Sequence, residues 1–252
     1  MNQIPALFLA FVTAASAAPL LKDTIVGGLK DPMEVAIAPD GNLFVIEREG
    51  RVLRVNPNTG GLFEIGAVQV EALREADAKS NYAREDGLLG MALDPDFAKN
   101  QRIFLYYSAA DMIANRLSRF TLKDGMIDFA SELKLLEIPT ERENKVCHHG
   151  GSVEFGPDGL LYISTGDNTN PFESGGVAPI DDREGRTERD AQRSAGNTND
   201  LRGKVLRIKP TETGYEIPSG NLFKPGTEKT RPEIYVMGCR NPFRISLDPK
   251  TK

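Results

Sequence analysis

The chain has 252 residues, 40% of them apolar and 27% charged, with a formal net charge of −5 at pH 7. That apolar share belongs to a globular chain with a packed core, not a disordered one, and the length suffices for one large all-β or α/β domain. The acidic balance leaves no basic stripe of the kind nucleic acid requires, so nucleic acid is excluded as the expected partner.

The first segment, MNQIPALFLAFVTAASAAP, carries an apolar run of signal-peptide length, and Ala15-Ser16-Ala17 forms a small-residue cleavage site. Residues 1–17 are therefore expected to be a secretory signal peptide. The mature domain then covers 18–252, in a periplasmic or secreted location. No later stretch reads as a membrane span.

From residue 35 onward the chain repeats itself. VAIAPDG (35–41), MALDPDF (91–97), VEFGPDG (153–159) and ISLDPKT (245–251) each run alternating apolar residues into a proline-centred turn, the pattern of one strand used four times. After the first three turns come NLFVI, RIFLYY and LLYIST, then RVLRV, RLSRF and KVLRI, then GLFEIGAV (61–68), KLLEIPT (134–140) and PEIYVMG (232–238). Four antiparallel strands per unit, repeated, is the arrangement of β-propeller blades. The expected fold is all-β, an N-terminal fragment of roughly three and a half blades, because an open array would leave sheet edges that a closed propeller avoids. DTIVGGLKDP (23–32) parallels EIYVMGCRNP (233–242) and is expected to be an outer strand closing the last blade.

The turn prolines Pro39, Pro95, Pro157 and Pro249 are spaced more widely than the roughly 40–50 residues a blade needs. The excess falls between second and third strands, growing from Pro39–Val52 to Pro95–Leu117 to Pro157–Val205, so one face of the array is elaborated. The largest insertion, 167–200, is charged and glycine-rich and is expected to be a lid or rim loop. Asp167, Asp181 and Asp182 lie in it as conceivable Ca²⁺ ligands, although their spacing matches no EF-hand.

CHHGG, 147–151, holds both histidines and one of the two cysteines. His148 stands nine residues before Pro157 and Arg240 nine before Pro249, so both begin an innermost strand and face the central axis. The same register gives Asp86, with Glu85 beside it, in the second unit and Lys30 in the first. A histidine, an arginine and a carboxylate thus converge at one mouth of the channel. A neutral imidazole can take a proton, a guanidinium stabilises developing negative charge, and the carboxylate can orient a hydroxylated substrate. His149 is expected to be structural. Cys147, His148 and His149 are consecutive and cannot easily face one ion, so no metal site is assigned. Cys147 and Cys239, each ten residues before a turn proline, either bond across the blade gap or remain two buried thiols. A disulfide there would add about 2–4 kcal/mol.

Through EREGRVLRVNPNTG, EDGLLGMALDPDF, HHGGSVEFGPDGLLYISTGD, LRGKVLRI and GCRNPFRISLDP, the chain resembles the soluble quinoprotein sugar dehydrogenases, the glucose/sorbosone dehydrogenase family. The resemblance implies a six-bladed propeller that uses pyrroloquinoline quinone (PQQ). It implies that His148 is the base that removes a sugar hydroxyl proton as hydride passes to the quinone. Arg240 and Asn241 would contact PQQ, Arg240 stabilising its reduced anion, and Glu85 would lie on the substrate side. Further PQQ-binding residues and the Ca²⁺ ligands would lie beyond residue 252. Electrons would pass to an external acceptor such as a cytochrome c. The residue before the histidine, acidic in glucose-oxidising members, is Cys147 here, which points away from glucose. Two other classes remain open: a metal-dependent propeller lactonase and a non-catalytic carbohydrate-binding propeller module.

Overall fold

A computed structural model describes residues 22–72, 85–142, 147–172 and 174–248. The signal peptide expected over 1–17 lies outside the described residues. Three antiparallel sheets, two of four strands and one of five, follow one another along the chain. The first blade consists of β1 (Pro32–Ile37), β2 (Leu43–Glu47), β3 (Arg51–Asn56) and β4 (Gly61–Ala67), hydrogen-bonded in that order. The second consists of β5 (Leu88–Leu93), β6 (Arg102–Ser108), β7 (Ala114–Lys123) and β8 (Met126–Pro139), with a short helix α1 (Phe97–Asn100) in the β5–β6 turn. The third contains β9 (Val153–Phe155), β10 (Leu161–Thr165) and β11 (Lys204–Pro210). Its outer edge is shared by β12 (Tyr215–Glu216), on the far end of β11, and β13 (Ile234–Met237), on the near end.

The packing explains why the middle unit's strands read as continuous apolar runs. A sheet covered on both faces needs apolar residues at successive positions, since neighbouring side chains point to opposite faces. Ile103, Leu105 and Tyr107 of β6 face the first blade, in a cluster with Ile46, Val52 and Leu88. Phe104 and Tyr106 face the third, with Leu89, Leu161 and Leu206. The first blade has another blade against one face only, and on its other face Val35 and Ile37 of β1 stand 55% and 74% exposed.

The outer strand expected near the start of the chain is corrected. Residues 22–31 form no strand; Val26 and Leu29 instead lie against Val45, Leu53 and Val55. Residues 241–248 form no strand, and the rest of the fourth repeat, 249–252, lies outside the described residues. A strand requires a ladder partner, and this segment is held by side chains instead: Arg244 pairs with Glu34 of β1 at 3.4 Å and donates to the Met33 carbonyl.

The expectation that second-to-third-strand loops share a face with the starts of the inner strands holds. Leu88 N–H bonds Arg48 O, Ser108 N–H bonds Gly87 O, Cys147 N–H bonds Thr169 O and Asp167 N–H bonds Arg240 O. Each bond joins such a loop, or the strand end that enters it, to the start or lead-in of an inner-strand segment. No helix among the described residues is long and apolar enough to cross a membrane.

Candidate active site

His148 sits in the lead-in to β9, buried, with a left-handed φ of 62°. A non-glycine residue in that region stores strain and persists only when its surroundings hold it there. Three bonds hold it. Glu85 Oε2 accepts the His148 N–H at 3.0 Å and the His149 N–H at 3.4 Å, and His148 O accepts the Asn168 N–H at 3.1 Å. Gly166 makes the close approach possible, because a Cβ there would lie 2.0 Å from His148 O.

The imidazole is backed by a carboxylate. Asp167 Oδ1 lies 2.7 Å from His148 Nδ1 and also accepts the Thr169 hydroxyl at 2.8 Å and the Thr169 N–H at 3.0 Å. Asp167 is fully buried. A carboxylate acceptor at Nδ1 places the ring proton there and leaves Nε2 to act as a base. Among the described residues His148 Nε2 makes no hydrogen bond.

Asn241 arrives from the next unit. Its Nδ2 donates to Glu85 Oε2 at 2.8 Å and its Oδ1 accepts the Gly150 N–H at 3.0 Å. Glu85 and Asn241 therefore form one clamp across the His-His-Gly-Gly turn. Arg240 is exposed, joined to the cluster through its carbonyl, and its guanidinium makes no ion pair with the described residues. So the structure brings His148, Glu85 and Asn241 together through hydrogen bonds and joins Arg240 to them through its carbonyl; the register names His148 and Arg240 with Glu85 beside Asp86, and the resemblance names Asn241. Asp86, the residue the register singled out beside Glu85, is fully buried with its carbonyl accepting from Arg48 Nη1, and Lys30 makes no hydrogen bond or ion pair to the clamp; its backbone N–H goes to Glu47. His149 is buried, with Nδ1 against Asn115 and its carbonyl accepting the Tyr106 hydroxyl.

Cys147 and Cys239 are both free thiols, which corrects the disulfide reading. The two backbones are committed elsewhere: Cys147 N–H bonds Thr169 O, with Sγ 3.8 Å from the same carbonyl, and Cys239 N–H bonds Gly203 O. Burial, then the charge of Glu85, pushes the Cys147 thiol up to about 12, so it stays protonated at neutral pH. In the insertion, two of the three aspartates considered for Ca²⁺ are engaged by protein groups. Asp181 is held by Arg183 at 2.6 and 2.7 Å, Asp167 is occupied by His148 and Thr169, and no group of three or more His, Cys, Asp or Glu gathers around a metal position among the described residues. The insertion itself is ordered into two 3-10 turns, Thr187–Arg189 and Ala191–Arg193, and stitched to the site through Asn170 N–H to Glu188 O and Ser194 Oγ to Asp167 O. It is a wall of the rim.

The sequence reading missed the role of Asp167. The β9–β10 register was the available signal: Val153 pairs with Ile163, and continuing that ladder toward the loop sets Asp167 opposite His149.

Successive antiparallel blades with a carboxylate-backed histidine at one end define the β-propeller class of fold. More narrowly, the chain belongs to the glucose/sorbosone dehydrogenase family, whose model matches residues 29–252. Human Hedgehog-interacting protein is 29% identical over 242 residues, covering 89% of this chain and 31% of that protein. Quinoprotein glucose dehydrogenase B of Acinetobacter calcoaceticus is 27% identical over 241 residues, covering 92% and 46%. The PQQ-bound aldose sugar dehydrogenase of Streptomyces coelicolor superposes with a TM-score of 0.61 at 27% identity, over 87% of this chain and 54% of that one. The chain thus spans about half, or less, of the relatives it matches.

Proposed function

We propose that the chain forms the base-bearing portion of an exported quinoprotein that oxidises a sugar hydroxyl. The observation that carries this reading is His148 backed by Asp167 at 2.7 Å and set beside Arg240 and Asn241 from the next unit. PQQ, when bound, supplies the acceptor for the hydride that leaves the sugar carbon. His148 takes the hydroxyl proton at Nε2, while Asp167 accepts the Nδ1–H and stabilises the imidazolium that forms. Glu85 and Asn241 fix the turn so that the ring keeps this orientation. The donor set fits the quinone in part. An exposed guanidinium free of any described ion pair suits one carboxylate of a tricarboxylate. The remaining charge falls to residues that the family resemblance places beyond 252, with Ca²⁺. The neutral Cys147 thiol gives the sugar-facing wall no carboxylate, which favours an aldose other than glucose. A periplasmic location and an external acceptor such as a cytochrome c complete the reading.

The likeness to Hedgehog-interacting protein supports a second reading, a non-catalytic binding propeller. Reconstituting the intact protein with PQQ and Ca²⁺ and following dye reduction over a panel of aldoses separates the two. The proposal expects turnover with at least one aldose. Lactone hydrolysis without dye reduction would favour a metal-dependent lactonase, and carbohydrate binding without turnover a binding module.

A further inference from the structure

Lys204 opens β11 beneath the His148 site and takes no part in the chemistry above. It is completely buried, a place that lysine occupies only when its charge is compensated. It forms no ion pair with the described residues. Instead Nζ donates to three main-chain carbonyls: Ser194 O at 2.8 Å, Ala195 O at 3.1 Å and Arg202 O at 2.7 Å. An ammonium has three donors, and each is used. Desolvation pulls its pKa down to about 8. Gly203 leaves room for this cage, since a Cβ there would lie 2.5 Å from the Ala195 Cβ and 2.7 Å from Cys239 O.

Two routes lead from the cage to the site. Ser194, whose carbonyl accepts from Lys204, sends its hydroxyl to Asp167 O at 2.7 Å. Ala195 O also accepts the Gly238 N–H at 3.1 Å, just before the segment that presents Arg240 and Asn241. The routes meet where Asp167 N–H bonds Arg240 O at 2.8 Å. Without the ammonium, three buried carbonyls lose a common donor, and the loop behind Asp167 loses its anchor to β11.

We propose that Lys204 is a positioning residue whose carbonyl-caged ammonium fixes, through Ser194 and Ala195, both the Asp167 that orients His148 and the segment that carries Arg240 and Asn241. This rests on the reading of His148 as the base. The test is imidazole NMR on the intact protein, with the His148 Nδ1–H identified by its loss in His148→Gln. In the wild type that proton should appear downfield and exchange slowly, because Asp167 holds it. In Lys204→Met, which keeps most of the stem's volume, it should vanish or exchange about tenfold faster or more, with the resonances of the first blade unmoved. On the PQQ-loaded protein kcat should fall about 10- to 100-fold while KM changes little, the signature of a misplaced base. Ser194→Ala keeps the cage and removes only the hydroxyl to Asp167. It should speed the same exchange, and it decides the question if the methionine variant does not fold. An unchanged Nδ1–H signal in a folded variant overturns the proposal. This readout needs no turnover, so a wild type that oxidises no sugar would count against the proposed function while the Lys204 question is still answered.

Discussion

Replacing Asp167 by Asn tests the His148 pair at its strongest point. The 2.7 Å bond from Nδ1–H to Oδ1 is charge-assisted, and such bonds contribute about 1.5–3 kcal/mol. That contribution grows as the ring becomes an imidazolium, so its loss falls mainly on the transition state. At 1.36 kcal/mol per tenfold in rate, the expected fall in kcat is about 10- to 100-fold. The fold should tolerate the change, because an amide oxygen can still accept the two bonds from Thr169. If the amide instead turns its NH₂ toward Nδ1, the ring proton is driven to Nε2 and the base is blocked, which enlarges the loss. The assay is steady-state dye reduction at saturating PQQ, with PQQ affinity measured separately. A kcat within about twofold of wild type at equal occupancy would refute the view that Asp167 orients the base.

Gly166→Ala should destabilise the protein by at least about 2 kcal/mol in urea unfolding, since its Cβ would press on His148 O; an unmoved midpoint would contradict the packing described. Thiol titration of the denatured, unreduced protein should find Cys147 and Cys239 both free, and a disulfide would overturn that assignment. In the native state Cys147, with its pKa near 12, should resist alkylation at pH 8, where only about one part in 10⁴ is thiolate; rapid labelling at Cys147 would show otherwise. Lys204 has a folded pKa of about 8 against 10.5 unfolded, so between those values the unfolded chain binds more protons and this group's contribution makes stability rise with pH. The difference in stability between wild type and Lys204→Met should therefore move in the wild type's favour as pH rises from 8 to 10.5; a flat difference would show that the folded amine's pKa is not depressed.

Much of this architecture could be read from the sequence because it is written in period-2 patterns. The four-strand repeat and the elaborated face follow from proline turns and apolar alternation, and the nine-residue register brought His148, Arg240 and the Glu85 neighbourhood to one mouth. What escaped depended on partners far away in sequence. Residues 245–248 carry the strand pattern yet lack a ladder among the described residues. Asp167 read only as a conceivable Ca²⁺ ligand in a polar insertion, and its pairing across β9 and β10 is what sets it behind His148. Lys204 looked like the first polar residue of a strand, because nothing local marks a lysine that will be caged by the carbonyls of Ser194, Ala195 and Arg202. The cysteines stayed open between a bond and two thiols in the sequence, because equivalent positions in successive blades do not by themselves bring two Sγ atoms together.

The most direct test of the central claim is His148→Ala in the intact, PQQ-reconstituted protein, with turnover and PQQ affinity measured side by side. If the imidazole removes the sugar proton, turnover should collapse while the quinone binds almost as before. Equal losses in both, or undiminished turnover, would show that His148 supports the turn without acting as the base.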